Sequence, residues 1–444
     1  MAEQRTEGTP AGEGCGRERP TEDGVVFGLL GRTLAHSWSP QIHAALGSVP
    51  YALIEREPEE VEGFVRHGSW RGLNVTIPYK RRAFELADEH TPAARRLGVA
   101  NTLVRLADGR ILADNTDLTG FAWMLERFCV RELSARDARS ALEGREALVL
   151  GSGGASHAVV AALEDAGAHV SVISRSGDDT YETLAERHPD AALVCNATPV
   201  GMFPGCPASP VPEGDLARLR GLAGVLDVVY NPTRTGICLA AERLGVPSES
   251  GLAMLVSQAC RSSERFLGRE VDDALAAAVE RDLRAQTLNV ALIGMPGSGK
   301  TTCGKRLARL LKRPFVDLDD AFGLDHGISP AACITERGEA AFRALETETL
   351  SRYASRSSLV IACGGGVVTR EENYALLRQN STIVALDRPL EQLSSRGRPL
   401  SASRGVERLA RERMGLYRSW ANLVLACTGS AAGDAEAIRG ALGL

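Results

Sequence analysis

Lysine is scarce in this chain: the 51 basic residues include only Lys80, Lys300, Lys305 and Lys312 as lysine, and every other one is arginine. A lysine kept against that background marks a place where arginine cannot substitute, either because a proton must be released or because the charge must be compact. Positive charge is not in excess either. The net charge is −5 with a pI near 6.0, which excludes the basic field that neutralises a phosphate backbone, so small metabolites rather than nucleic acid are the expected partners. No apolar run approaches the roughly 20 residues of a membrane-spanning helix. The ten cysteines form no CxxC pair and no His/Cys cluster of zinc spacing, which excludes a zinc module and a disulfide scaffold and fits reduced, buried thiols in a cytoplasmic protein. Residues 1–23 are polar and rich in Gly, Pro and Glu with no apolar centre, the pattern of a disordered tail rather than a signal peptide.

What remains is ordinary globular material, 44% hydrophobic and 24% charged over 444 residues, enough for about three domains. After the tail, a first segment of short strands and helices runs to about residue 125. At Glu146 the run ALVLGSGGASHAVVAALEDAGAHVSVISR has the order strand, glycine turn, helix, strand of one βαβ unit. At Leu288 the run NVALIGMPGSGKTTCGKRLARLLKRPFVDLD repeats that order with different glycine spacing, hence a different phosphate cradle. Val271–Ala285 has helical periodicity, and no Pro/Gly/Ser-rich linker follows it, so the halves are joined tightly near 286–288.

GMPGSGKT, Gly294–Thr301, matches G-x-x-x-x-G-K-[ST] between a strand and a helix. In such a loop Gly297, Ser298 and Gly299 offer backbone N–H groups, Lys300 reaches the β/γ-phosphates, and Thr301, followed by Thr302, ligates magnesium. FVDLD is expected to place Asp317 and Asp319 on one side of a strand end, one for the magnesium and one for a substrate hydroxyl. GEAAFRALE sets Arg343 and Glu346 at i, i+3, Gly364, Gly365 and Gly366 follow an apolar strand and leave room for a ligand against the backbone, and RGRPL and RERMGLY add further arginines. Taken in order, 288–430 resembles shikimate kinase, with Gly415 standing where that family often has proline. The resemblance implies that Asp319, Arg343, Arg413 and the glycine triplet hold shikimate, that Thr301 and Asp317 hold Mg2+ with ATP, and that Arg398 lies over ATP. Arginine forks suit the carboxylate of shikimate and an aspartate suits its hydroxyls. A nucleotide or gluconate kinase is the other reading of this half.

GSGGAS, Gly151–Ser156, has two of the three dinucleotide-fingerprint glycines and serine in place of the third. The following strand ends in Ser174-Arg175-Ser176 without an acid, which favours the 2′-phosphate of NADP(H) over the bare ribose of NAD. In the first segment, Ser37 and Ser39 lie two apart, GLNVTIPYK carries Asn74, Thr76 and Lys80, GVANT carries Asn101, and DNTDLTG carries Asp117. Reduction of a ketone needs a proton for the developing alkoxide, and Lys80 is the natural donor if Asp117 orients it.

Over about 24–284 the ordered motifs HSWSP, NVTIPYK, ANT, NTD, GSGGAS, NATPVGM, DVVYNP and GLAMLVSQA resemble shikimate dehydrogenase, with Ala44 where that family usually has asparagine. By that resemblance Lys80 and Asp117 are the catalytic pair, joined in substrate binding by Ser37, Ser39, Asn74, Thr76 and Asn101, and further along the chain by Tyr230 and Gln258. Gly151, Gly153, Gly154, Ala155 and Arg175 would hold the phosphates of NADP, and Asn196, Thr198, Gly251 and Met254 would line the rest of its site. The expected architecture is α/β throughout. A substrate-binding α/β domain (24–125, with 251–284 returning to it) and a Rossmann domain (126–250) precede a P-loop α/β/α kinase domain (288–444), with Lys300 the catalytic residue of the last. The combined expectation is a bifunctional enzyme: NADPH reduces 3-dehydroshikimate, and ATP phosphorylates the shikimate formed. It would act without a membrane or nucleic-acid partner, as a monomer or homodimer. Two alternatives stand beside it: a quinate/shikimate dehydrogenase fused to another small-molecule kinase, and a non-catalytic metabolite-sensing regulator.

Overall fold

A computed structural model describes residues 26–34, 37–393 and 405–444. The N-terminal tail and Arg398 lie outside the described residues. The chain divides into two compact units, one holding the described residues up to Asp114 together with Arg265–Gly268, the other holding Asn115–Glu264 and Arg269–Leu444. Among the described residues, no helix is long and apolar enough to cross a membrane.

The first unit is a mixed six-stranded sheet. Its strands are β1 (Phe27–Gly31), β2 (Tyr51–Glu55), β3 (Gly72–Val75), β4 (Glu89–His90), β5 (Thr102–Arg105) and β6 (Ile111–Asp114), in the order β2-β1-β3-β5-β6-β4. β1 pairs in parallel with β2 and β3, whereas β5 runs antiparallel to both of its neighbours. Leu30, Val61, Trp70, Leu73 and Leu103 fill its core. Phe266 stacks on Phe27 with centroids 5.1 Å apart, and a Cβ at position 72 would fall 2.2 Å from the Phe266 ring, so this contact requires Gly72.

The second unit carries two fully parallel sheets. β7 (Glu146–Leu150), β8 (His169–Ile173), β9 (Leu193–Asn196), β10 (Gly224–Asp227) and β11 (Ser248–Glu249) lie in the order β11-β10-β9-β7-β8. β12 (Asn289–Ile293), β13 (Phe315–Asp317), β14 (Val360–Ala362), β15 (Ser381–Asp387) and β16 (Leu423–Ala426) lie in the order β13-β14-β12-β15-β16. The sequence pattern explains the burial. The apolar runs of β12 and of Ala147–Leu150 are buried residue after residue, as strands covered by helices on both faces must be. In each sheet the first strand has successors on either side of it, and at such a switch point the loop leaving that strand opens into a crevice where ligands bind. Register aligns the strand ends: Leu150 pairs with Ile173 and Asn196, and Asn196 with Asp227, so four loops emerge along one edge. A single residue, Leu288, separates the helix Asp273–Thr287 from β12.

Candidate active sites

The loop after β12 opens onto a cavity of about 530 Å3. Gly297 and Gly299 have positive φ (90° and 97°), a conformation that suits glycine, and the helix Lys300–Leu311 begins where the loop ends. Gly297, Gly299, Lys300, Thr301 and Thr302 all line the cavity. Ser298 does not: its side chain is wholly buried, Oγ has no hydrogen-bond partner, and its N–H donates within the loop to the Met295 carbonyl at 3.1 Å. Lys300 Nζ donates to the carbonyls of Gly294 (2.9 Å) and Met295 (3.0 Å), which folds the ammonium against its own loop.

Asp317 and Asp319 are not both on the strand, as the sequence pattern had led us to expect. Asp317 ends β13 and caps the helix Leu318–His326, its Oδ1 accepting from Asp319 N at 3.0 Å, so Asp319 sits in the first helical turn. Both line the cavity nonetheless. Thr301 Oγ1 donates to Asp317 Oδ2 at 2.7 Å. A hydroxyl and a carboxylate so placed are the hard oxygen donors that Mg2+ prefers, and they leave room for the waters it retains. Burial and, after it, the Asp317 charge raise the Asp319 carboxyl above its ordinary range.

Arg343 lies on the helix Glu339–Ala354 and its Nη1 donates to Glu346 at 2.6 Å. Arg413, on the helix Val406–Trp420, donates from Nη1 to the carbonyl of Gly365 at 3.0 Å. Both guanidinium groups are buried, and the Nε atom of each has no hydrogen-bond partner. Two buried donors on neighbouring cations are costly unless an anion meets them. The glycine triplet makes the arrangement possible, since a Cβ at 366 would fall 2.1 Å from Arg343 Nη2 and one at 364 would fall 2.6 Å from Glu346 Oε1. Phosphate loop, oxygen donors and paired arginines therefore share one cavity.

At the edge of the β7 sheet, Gly151 has φ +100°, Gly153 is the N-cap, and the helix Gly154–Asp165 points its N-terminus at the crevice. Nothing would crowd a Cβ at 153 or 154, so that side of the turn is open, as close approach of a pyrophosphate requires. Ser156, the departure from the fingerprint, is buried and turns its hydroxyl back to the Gly153 carbonyl at 2.5 Å. Ala155 is half-buried beside it, and Arg175 is exposed just past β8. Asn196 and Thr198 brace the loop after β9. Asn196 is wholly buried, donates to Asp227 and accepts from Thr198 N and Oγ1, so its amide faces the protein and not the crevice. Met254 is buried in the core against the helix Thr116–Glu132. Gly251 packs where a Cβ would fall 2.1 Å from the Val228 carbonyl oxygen. Tyr230 is half-buried in the loop after β10. Asp117 is buried in the first turn of Thr116–Glu132, where the helix dipole favours its negative charge. Thr116 Oγ1 donates to Gln258 Oε1 at 3.4 Å, and Gly120 permits the helix Leu252–Leu267 to approach there.

In the first unit some of the expected polar residues fall into short hydrogen-bonded groups. Ser37 Oγ donates to Ser39 Oγ at 3.1 Å. Asn74 Nδ2 donates to Thr102 Oγ1 at 3.3 Å, and Thr102 Oγ1 donates to Asn101 Oδ1 at 3.1 Å. β3 and β5 pair Asn74 with Thr102, which brings the motifs of two strands together. Thr76 follows β3, and Lys80 opens the helix Lys80–Leu86, its carbonyl held by Ala100 N at 3.0 Å.

The comparisons with known proteins meet this geometry at both ends. The model of the shikimate dehydrogenase substrate binding domain matches residues 29–103. A shikimate dehydrogenase (NADP(+)) of Methylobacterium radiotolerans is 38% identical over 264 residues, spanning 54% of this chain and 90% of the relative. The chain belongs to the shikimate dehydrogenase family. A solved shikimate dehydrogenase from Peptoclostridium difficile aligns with TM-score 0.51 at 30% identity, covering 59% of this chain and 98% of that one. A chorismate mutase/shikimate 5-dehydrogenase fusion protein from Clostridium acetobutylicum aligns with TM-score 0.52 at 32% identity, over 58% and 97%. The shikimate kinase model matches residues 296–441, so the chain is a dehydrogenase–kinase fusion.

Several residues of both halves went unnoticed in the sequence. In the dehydrogenase half, Tyr51 OH donates to Asn74 Oδ1 at 2.8 Å and stacks on His43 with centroids 4.0 Å apart. Burial holds that imidazole neutral by lowering its pKa to about 3, and pushes the tyrosine upward. In the kinase half, Arg388 holds the phosphate loop by donating to the Ser298 carbonyl at 3.0 Å and to Asp434 at 3.2 Å. Tyr417 OH donates to the Gly365 carbonyl, and burial pushes its pKa up to about 12. The only signal for Arg388 was its place directly after an apolar strand.

Proposed function

We propose that the two halves catalyse consecutive steps on one molecule: NADPH-dependent reduction of 3-dehydroshikimate to shikimate, then ATP-dependent phosphorylation of the 3-hydroxyl that the reduction created. The observation that carries the reading is the kinase cavity, which two buried arginines with unpartnered Nε donors share with Asp319 and the phosphate loop. Arginine donors and a carboxylate in one cavity match a rigid acid bearing hydroxyl groups.

In the reductive step, bound NADPH supplies the hydride. Lys80 and Asp117 share the acid–base work, Lys80 Nζ giving the proton that the new alkoxide takes up. Ser37, Ser39, Asn74, Thr76, Asn101, Tyr230 and Gln258 orient the substrate. The glycine turn from Gly151, Ala155 and Arg175 hold the phosphates of the dinucleotide, and Thr198, Gly251 and Met254 shape the adjoining wall. Asn196 acts through the loop that it braces.

In the second step, Thr301 and Asp317 hold the magnesium that accompanies ATP and offsets its charge. Arg343 and Arg413 hold the substrate carboxylate against Gly364–Gly366, Asp319 accepts a hydrogen bond from the reacting hydroxyl, and Lys300 places a compact charge at the phosphate loop. Arg398, outside the described residues, is assigned to ATP. The reaction sequence runs in the cytoplasm, in a monomer or homodimer, with no nucleic-acid or membrane partner. Purified protein given shikimate and Mg-ATP should release ADP, and given shikimate and NADP should form NADPH. Absence of either activity in folded protein overturns the corresponding half of the proposal.

A further inference from the structure

The loop that follows β10 carries Tyr230 and is fixed at both ends from within the dehydrogenase half. Asp227 Oδ1 accepts from Val229 N at 2.8 Å and from Asn196 Nδ2 at 3.0 Å, and Oδ2 accepts from Thr235 Oγ1 at 2.5 Å. Its middle is fixed from elsewhere. Thr233 N and Thr233 Oγ1 both donate to Oδ1 of Asn380, at 3.1 and 2.9 Å, and Asn380 belongs to the kinase half, directly before β15. The next residue extends the contact, Arg234 N donating to the Gln379 carbonyl at 2.8 Å and Nη1 to the Arg378 carbonyl at 3.2 Å. Arg378 in turn grips Glu242 of the helix Gly236–Arg243, with Nε 3.1 Å from Oε1.

Asn380 is suited to hold another loop because its own position is overdetermined. Nδ2 donates to the Arg356 carbonyl at 2.9 Å and to Ser357 Oγ at 3.1 Å, and its backbone carbonyl accepts from Asn289 N at 3.0 Å. Two donors and one doubly accepting oxygen are the full capacity of a carboxamide, and all of it is used. Thr233 and Asn380 are both buried. An N–H and a hydroxyl held there without that oxygen would be stranded from water and from protein, so the conformation of the loop depends on the kinase half supplying it.

We infer that the kinase half is a working part of the dehydrogenase, with Asn380 acting through Thr233 as a positioning residue for the loop that presents Tyr230 to shikimate. This rests on the assignment of Tyr230 as a substrate contact. The surface involved is therefore more than a tether between two independent enzymes: it sets how tightly the dehydrogenase half holds its substrate.

The test uses the full-length chain with Thr233→Val, which removes the hydroxyl donor at nearly constant volume, Thr233→Ser, which keeps it, and Tyr230→Phe. The Michaelis constants for shikimate and for NADP are measured in the oxidation direction, together with the kinase rate. Thr233→Val should raise KM for shikimate about fivefold, the effect of one buried hydrogen bond, while KM for NADP and kinase kinetics stay unchanged and Thr233→Ser stays within about twofold of the parent. Tyr230→Phe should raise the same KM. An unchanged KM in Thr233→Val beside a raised one in Tyr230→Phe overturns the positioning role. An equal loss of both activities in Thr233→Val shows a purely structural contact and also overturns it. An unaffected Tyr230→Phe removes the assignment of the tyrosine, and the inference with it.

Discussion

Gly366→Ala is the smallest change that should disable one half of the protein and spare the other. Gly366 has φ −102°, a backbone conformation open to alanine, so backbone strain is not the objection. The objection is Arg343, because the new Cβ would fall 2.1 Å from Nη2 and 2.2 Å from both Cζ and Nη1, whereas ordinary contact begins near 3.4 Å. The guanidinium must retreat by more than about 1 Å, a movement that its 2.6 Å bond to Glu346 resists. A displacement of about 1 Å in a substrate-positioning group costs on the order of 100-fold in rate, about 2.7 kcal/mol of transition-state stabilisation. ADP release at saturating ATP and varied shikimate should show kcat/KM lower by about that factor, mostly through a raised KM. Shikimate-dependent NADPH formation in the same preparation should be unaltered, which controls for folding. Kinase kcat/KM within about threefold of the parent in folded protein would refute the assignment of Arg343 and the glycine triplet to substrate.

Lys80→Ala should abolish NADPH oxidation with 3-dehydroshikimate and leave phosphorylation intact, and Lys300→Ala should do the reverse; loss of both activities in either folded variant would contradict separate sites. Arg175→Ala should lower the preference for NADP over NAD by about tenfold, the loss of one charged contact to the 2′-phosphate of roughly 1.4 kcal/mol, and an unchanged ratio of the two kcat/KM values would remove that residue from cofactor selection. Burial outweighs three donors and pushes the Asp227 carboxyl up from 3.8 to about 7. The folded state therefore favours the protonated form, and the stability this contributes is complete below pH of about 4 and is lost as pH rises through about 7. Asp227→Asn should accordingly flatten the fall of Tm between pH 5 and 8, and an unaltered slope would show that the carboxylate is ionised throughout.

Much of the lining of the kinase cavity was legible in the sequence because backbone requirements are written in residue type. A loop that must wrap phosphate needs Gly297 and Gly299 after a fully apolar strand, and a guanidinium laid on the backbone needs Gly366. Lysine scarcity was informative for the same reason. Lys300 lines the kinase cavity and Lys80 opens the helix Lys80–Leu86, whereas Lys305 and Lys312 are exposed on and just after the helix Lys300–Leu311. What was not legible depends on distance along the chain. Tyr51 and Asn74 meet only because β2 and β3 flank β1, and Thr233, just after DVVYNP, meets Asn380 across 147 positions with no motif at Asn380. Asp319 was misplaced onto a strand because alternation alone does not reveal that Asp317 is a helix cap. Asn196 has the composition of a ligand contact, but its neighbours Asp227 and Thr198 already occupy its amide.

The central claim, that one chain makes shikimate and then phosphorylates it, is tested most directly by a single reaction of purified protein with 3-dehydroshikimate, NADPH and Mg-ATP. Mass spectrometry and absorbance should show shikimate 3-phosphate accumulating, with one NADPH oxidised and one ADP released per molecule formed. Oxidation of NADPH with shikimate as the final product, or ADP release without phosphorylated shikimate, would contradict the account.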